Sequence, residues 1–240
     1  MSHRYIYPDE QQTATAAAKA IMNLLEEKLA GQSTASLALS GGKSPRLMFN
    51  VMAATKFDWS KVHLFWVDER AVPPTDPQSN YLMAEQSLIG PAHIPRSHVH
   101  RVLAELSPTE AANKYEEDIQ DFFGLKKGEL PHFDVVHRGM GPDAHTASLF
   151  PGEPLIDDRE NVAAAVYVEK MTQFRITLLP GVLLNASHTV MFVSGEDKAE
   201  AVRAVFNEPY DPKKYPAQIS AHHGRSVLWF FDQAAAKLVD

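Results

Sequence analysis

Short apolar runs alternate along this chain with longer stretches of helical spacing, and no other feature constrains the fold as strongly. Ser36–Ser40, Val62–Val67, Phe133–His137, Val162–Val168, His188–Val193 and Val227–Phe231 read as strands, with Ile176–Leu178 a further short one. Residues 9–30, 46–54, 80–88, 108–123, 196–206 and 233–238 carry helical patterning. Gly31 is a natural stop for the first helix, and Pro45 suits the first position of the second, with Ser44 as its cap. Nearly continuous apolar strands separated by helices predict an α/β fold: a mostly parallel sheet with helices on both faces. No polar linker divides the chain, so residues 1–240 are expected to form one domain.

Composition removes several function classes. Lys and Arg number 23 against 30 Asp and Glu, a net charge of −7, which argues against sequence-independent nucleic-acid binding. There is no cysteine, which excludes a disulfide framework, a thiolate zinc site and a thiol nucleophile. No apolar run approaches the ~18 residues of a membrane span. The N-terminus carries no stretch of signal-peptide character. A cytoplasmic protein without a membrane partner is expected.

In open α/β sheets, ligands sit beyond the carboxyl ends of the strands, so those ends are where chemistry is to be read. Ser40-Gly-Gly-Lys-Ser-Pro45 joins a strand to a helix. Gly41 and Gly42 let the backbone curl, and the free N–H groups of a helix start attract an anion, with Lys43 and Ser44 as further donors. The Walker spacing is absent, and a plain glycine turn is the competing reading. Asp68-Glu69-Arg70 follows the strand containing Trp66. A solvent-exposed exit is the plainer reading of such a triplet, but an Arg at a strand mouth also makes a phosphate fork. Gly139-Met-Gly-Pro-Asp-Ala-His145 offers Asp143 and His145 two residues apart, where an imidazole could take a proton from water. The same run loosely matches a dinucleotide fingerprint, but Pro142 and Asp143 stand where a pyrophosphate would approach. Gly195-Glu-Asp-Lys198 starts a helix after another strand, from which Lys198 could reach a phosphate, although for the residue viewed alone an ordinary exposed helix lysine is the favoured reading. His98 and His100 lack a third ligand at metal spacing, so no metal is expected. No Gly-x-Ser-x-Gly elbow is present.

Taken in order, five stretches resemble the 6-phosphogluconolactonase family. They are Leu39–Pro45, Phe65–Pro74 with Ser79-Asn-Tyr81, Gly139–Gly152, Arg175-Ile-Thr-Leu with Leu184-Asn-Ala186, and Gly195–Ala199. The resemblance spans roughly residues 36–235. It implies a Rossmann-like fold shared with the glucosamine-6-phosphate deaminases, and hydrolysis of 6-phospho-D-glucono-1,5-lactone to 6-phospho-D-gluconate without a cofactor. It implies that His145 activates water and that Asp143 orients His145 or the sugar. Gly41, Gly42, Lys43, Ser44, Asp68, Arg70, Arg175 and Lys198 would then line the phosphate and substrate pocket of a monomer or homodimer. The competing readings are an amino-sugar-phosphate deaminase and a non-catalytic sugar-phosphate sensor. Against the deaminase, Asp143-Ala-His-Thr-Ala-Ser-Leu-Phe-Pro151 lacks the Glu of that family's motif, and Phe206-Asn-Glu-Pro209 looks like a coincidental helix end.

The chain departs from the family pattern at His137 and Arg138, where aliphatic residues are usual, at Ala144, where Gly is usual, and at Leu179, where Thr is common. At Ala144 the more economical expectation is a negative φ, with the methyl against the pocket wall.

Overall fold

The computed structural model describes residues 2–239. The chain runs β1 (Ser2–Tyr7), α1 (Glu10–Leu29), β2 (Ala35–Leu39), α2 (Lys43–Ala54), β3 (Val62–Trp66), β4 (Asp68–Arg70), α3 (Asn80–Ala84), α4 (Pro108–Phe123), β5 (Val135–Arg138), β6 (Ala163–Val168), β7 (Gln173–Leu178), α5 (Pro180–Asn185), β8 (His188–Val193), α6 (Ala199–Asn207), α7 (Gln218–His223) and β9 (Val227–Asp232). Six strands form a parallel sheet in the order β1-β9-β8-β5-β2-β3. The expected α/β class, mostly parallel with helices on both faces, is what the chain adopts.

Alternation along the inner strands supplies both faces. On β8, Val190 and Phe192 join the core under α1 and α2, whereas Met191 and Val193 join a second core under α6. On β9, Phe230 faces the first core, and Val227, Trp229 and Phe231 the second. Helix α1 can lie close because its inward face is small: Ala14, Ala17 and Ala18 are fully buried beside Ile21 and Leu25. Its start is fixed by Asp9, whose carboxylate accepts the Gln12 N–H at 2.8 Å.

The order of strands reverses between β2 and β5. From β2 the chain moves outward to β3, then returns to β5 on the other side of β2 and continues through β8 to β9. A crevice opens at such a switch point, beyond the carboxyl ends of the two strands. Their register is pinned by a buried clasp. The Ser36 N–H and hydroxyl both donate to Asp134 Oδ2 at 2.9 Å, and the Asp134 N–H donates back to Ser36 Oγ at 3.0 Å.

Four expectations need correcting. The apolar runs 162–168 and 176–178 do not extend the parallel sheet; β6 and β7 pair antiparallel with each other, and β7 pairs with β4, in a separate three-stranded sheet. Helix α2 begins at Lys43 with Gly42 as its cap, so Ser44 lies in the first turn and is not the cap. Residues 80–88 divide into α3 and a wider π turn, Glu85–Ile89. Residues 233–238 form turns and no helix. There the Asp232 carboxylate takes the Ala235 N–H at 2.7 Å and also the Gly195 N–H, which holds the segment in a turn. Strand β1 was not legible, because its side chains are mostly exposed and it joins β9 by backbone pairing.

Strand β5 ends in two fully buried polar residues on opposite faces. His137 meets Phe49 of α2 edge-on, and its Nδ1 accepts the Ser40 N–H at 3.4 Å, while its Nε2 has no hydrogen-bond partner. Arg138 points to α7, donating to Ser220 Oγ at 2.6 Å, with Nε and Nη1 left unpartnered. Burial first, and the Arg138 charge second, lower His137 to about 3. An unfolded chain therefore binds a proton below about pH 6.5 that the folded chain refuses. The stability contribution is complete above that pH and is lost as pH falls toward the folded value. Replacing His137 with Val should flatten the acid side of the stability curve. Unfolding free energies from urea denaturation between about pH 6.5 and pH 5 should fall for the wild type by up to roughly 2 kcal/mol more than for His137→Val.

Candidate functional site

A cavity of about 500 Å³ occupies the crevice at the switch point. Gly41, Gly42, Lys43, Ser44, Asp68, Arg70, His145, Arg175 and Lys198 all line it. Asp143 is bonded to His145 at its edge. The structure thus brings together every site residue expected from sequence.

The β2–α2 turn forms one wall. Gly42 adopts φ 128, a conformation side chains rarely tolerate, and no side chain caps the helix it starts. The early N–H groups of α2 are left available, where the helix dipole favours negative charge. A Cβ on Gly41 would stand 1.8 Å from Asn80 Oδ1, so glycine is required for the turn to approach α3. The Ser44 hydroxyl is engaged elsewhere: it donates to Glu10 Oε1 at 2.6 Å and lies 2.7 Å from Ser194 Oγ, which donates to the same carboxylate. What Ser44 can offer an anion is its backbone N–H.

The small antiparallel sheet supplies the facing wall. Arg70 and Arg175 are direct cross-strand partners on β4 and β7. Like charges so placed repel, and both Nε atoms are buried without partners, an arrangement that suits an anion between or above them. Arg175 lies 3.7 Å from Asp68, whose other contact is the Ser148 hydroxyl at 2.7 Å. Burial lowers the Arg175 guanidinium, and the Asp68 charge partly offsets that. Arg70 Nη1 donates to the Gln78 carbonyl at 2.5 Å.

This wall rests on Glu69, a residue the sequence did not single out. Its buried carboxylate accepts the N–H groups of Arg70, Asn80 and Tyr81 at 2.7–2.8 Å and the Ser79 hydroxyl at 3.1 Å. Burial pushes its carboxyl up, and those four bonds pull it back. They fold the loop so that Asn80 reaches the cavity, with Nδ2 on the Asp68 carbonyl at 2.8 Å and Oδ1 buried and unpartnered. Asn80 sits in Ser79-Asn80-Tyr81, and that triplet was the available signal. Glu10 was out of reach, since it joins the site from the start of α1.

The turn after β5 carries the titratable pair. Asp143 Oδ1 lies 2.6 Å from His145 Nδ1, and the Lys170 ammonium lies 3.0 Å from Asp143 Oδ2. Burial raises the Asp143 carboxyl, but the His145 contact and the Lys170 bond outweigh it and hold the group well below the usual carboxylate range. An ionised carboxylate only accepts, so Nδ1 carries a hydrogen and Nε2 is the ring nitrogen not bonded to Asp143. The ring stacks on Phe150, with centroids 4.1 Å apart. A Cβ on Gly141 would lie 2.0 Å from His145 Nδ1, so that glycine admits the ring. On the third side, Lys198 pairs with Asp197 at 2.9 Å beyond Gly195, whose φ is 98.

Chemically, the site sets an imidazole held at Nδ1 by a carboxylate beside a cavity that presents Lys43, Arg70, Arg175 and Lys198 to a ligand. The His98–His100 motif lies elsewhere, on the sheet edge, where His63, His100 and Asp118 form a hydrogen-bond chain. Among the described residues, no group of three or more His, Asp or Glu side chains is placed to hold a metal ion. Among the described residues, no helix is long and apolar enough to cross a membrane.

A family model described as glucosamine-6-phosphate isomerases/6-phosphogluconolactonase matches residues 8–229, and the chain belongs to that family. A 6-phosphogluconolactonase of Nostoc sp. is 36% identical over 231 residues, covering 96% of this chain and 95% of its relative. The crystal structure of a 6-phosphogluconolactonase from Thermotoga maritima superposes with a TM-score of 0.83 at 26% identity, covering 97% of this chain and all of the other. A monomeric glucosamine-6-phosphate deaminase shares the fold, with a TM-score of 0.83 at 18% identity over 98% of this chain and 99% of the other.

The expectation at Ala144 is overturned. Its φ is 62, and its methyl is fully buried with Met140, Met191 and Trp229 in the second core instead of facing the cavity. The turn holds it there: the Ala144 N–H donates to the Gly141 carbonyl at 3.0 Å, and its own carbonyl accepts the Ala217 N–H at 2.9 Å. Ala144→Gly relieves a left-handed strain of roughly 1–2 kcal/mol. It loses about 0.8 kcal/mol of methyl burial and about 0.4–1 kcal/mol to a looser unfolded chain. Its stability should therefore stay within about 1 kcal/mol of wild type, whereas a β-branched Ala144→Val should lose more than about 2 kcal/mol. Urea denaturation of the two variants checks both values.

Proposed function

We propose that this protein hydrolyses a phosphorylated sugar lactone, 6-phospho-D-glucono-1,5-lactone, to the open-chain 6-phospho-D-gluconate. The observation that carries this reading is the Asp143–His145 pair, with one imidazole nitrogen engaged, beside a cavity that Lys43, Arg70, Arg175 and Lys198 line. Membership of the family and the likeness to the Nostoc 6-phosphogluconolactonase support it.

In this reading His145 Nε2 removes a proton from a water as the water oxygen attacks C1. The carbonyl electrons move to the exocyclic oxygen, then return as the C1–ring-oxygen bond breaks. The proton on Nε2 passes to the departing ring oxygen, restoring the neutral base. Asp143 fixes the tautomer and faces the transient imidazolium. The α2 N-terminus with Gly41–Ser44, together with Arg70, Arg175 and Lys198, clamps the phosphate and orients the lactone, so that phosphate binding energy is spent on placing C1 against the water. Asp68 holds Arg175 in place. The oxyanion is drawn to donors near Gly41 and Gly42 or to an arginine of the facing wall.

A deaminase reading gains no support from the site. Glu208, the only Glu of Phe206-Asn-Glu-Pro209, caps α6 and pairs with Arg203 at 2.8 Å, away from the cavity wall.

In an acid-release assay with freshly made lactone, His145→Ala should lower kcat by about 10² or more with little change in KM, the loss expected of a general base. Wild-type turnover in that variant would remove His145 from the mechanism. Arg70→Ala or Lys198→Ala should weaken kcat/KM for the phosphorylated lactone far more than for gluconolactone, because charge-assisted bonds to a dianion carry the difference. Equal losses on both substrates would assign these side chains to the fold.

A further inference from the structure

Lys170 is a surface lysine whose ammonium is committed to the one carboxylate that touches His145. It lies in the tight turn between β6 and β7, at Glu169–Met171, followed by Thr172 with φ 51. The hairpin tip reaches the site from the small sheet, whereas Asp143 and His145 come from the end of β5 in the large one. The tip is anchored to the arginine-bearing loop: the Ala71 N–H donates to the Phe174 carbonyl at 3.0 Å, and Gln173 Nε2 lies 3.3 Å from Gln78 Oε1. Met171, next to Lys170, lines the cavity. Asp143 therefore has both oxygens occupied, Oδ1 by the imidazole and Oδ2 by the ammonium.

As a contribution to stability this ion pair is weak, because the Lys170 side chain is 63% exposed and an exposed pair gains little. Its effect on the imidazole is more direct. A bare carboxylate beside Nδ1 would hold a proton on the ring strongly. An ammonium on the opposite oxygen offsets that pull and stops the carboxylate from turning about its own axis. We infer that Lys170 is a positioning residue for the reaction: it fixes the Asp143 carboxylate and keeps His145 in its free-base form at lower pH than Asp143 alone would allow. This inference rests on the reading of His145 as the base.

Other charges also act on the ring. From β4 and β7 come Arg70 and the Asp68–Arg175 pair. From the turn before α6 comes the Asp197–Lys198 pair, from α2 Lys43, and from the far wall Glu10 and Asp232. All of them remain in a Lys170 variant, so a change on substituting Lys170 reports that one ammonium.

The test compares Lys170→Met and Lys170→Arg with the wild type by two readouts. One is the pH profile of kcat/KM for the phosphorylated lactone; the other is the NMR titration of the His145 ring in the ligand-free protein. With Met, the acid limb and the ring titration should both move to higher pH by about half a unit, a loss of about threefold in kcat/KM on the acid side with the alkaline plateau kept. Arg should restore the wild-type profile. In about 1 M salt, where screening acts within about 3 Å, the wild type should move toward the Met variant. An unmoved acid limb and ring titration with Met, or an Arg variant that behaves like Met, overturns the inference; so does a loss confined to KM, which would make Lys170 a substrate contact. The two readings fail separately. A ring titration that moves as stated while His145→Ala retains turnover upholds the coupling and rejects the base. An inactive His145→Ala with an unmoved Lys170→Met upholds the base and rejects the coupling.

Discussion

The Ser36–Asp134 clasp sets the geometry on which the rest of the site depends. It locks β2 against β5 at their amino ends, with the serine hydroxyl both giving and receiving a bond. The ladder then runs Leu37 to Val135 and Ala38 to Val136. At the carboxyl ends, the Ser40 N–H meets His137. A slip of one residue would turn every β5 side chain to the opposite face and move the Gly139–His145 turn away from Gly41–Ser44. The cavity exists because two turns from distant parts of the sequence leave the sheet side by side.

Much of that frame was legible because it follows from periodicity and from the rule about strand ends. Gly41–Ser44, Arg70, His145 and Lys198 were found as residues following apolar runs. The separate small sheet was not, because an apolar run does not say which sheet it joins, and β4 has only three residues. Glu10 and Lys170 enter through side-chain bonds across long sequence separations, which no local pattern encodes, and Glu69 acts by folding the loop to Asn80, which an apolar-run reading does not show. The Ala144 backbone was misjudged for a related reason. Sterics alone favour negative φ for alanine, but here the carbonyl bond to Ala217 and burial of the methyl in the second core outweigh the local preference.

Unfavourable features gather on the segment that carries His145. His137 and Arg138 are wholly buried with unpartnered nitrogens, and burial brings the Arg138 guanidinium down to about 9. Ala144 and Ala147 both have positive φ. Each of these costs free energy by itself, and the surrounding structure must over-determine the turn for it to persist. The same rigidity holds the imidazole over Gly141 and against Phe150; in the reaction proposed above, a small displacement would take Nε2 away from the attacking water.

The pairing of β1 with β9 has a consequence for how the molecule is assembled. These two strands lie at opposite ends of the sequence, yet they are neighbours in register from Ser2 with Val227 to Tyr7 with Asp232. The Gln233 N–H also reaches the Tyr7 carbonyl, at 2.9 Å. On a ribosome, β1 emerges long before β9 and must wait for all the residues between them before its partner exists. Until then the edge of β8 that receives β9, and the part of α1 that packs on β9, have nothing to cover them. Closing so long a loop is slow, and the nascent chain leaves apolar surface open in the meantime.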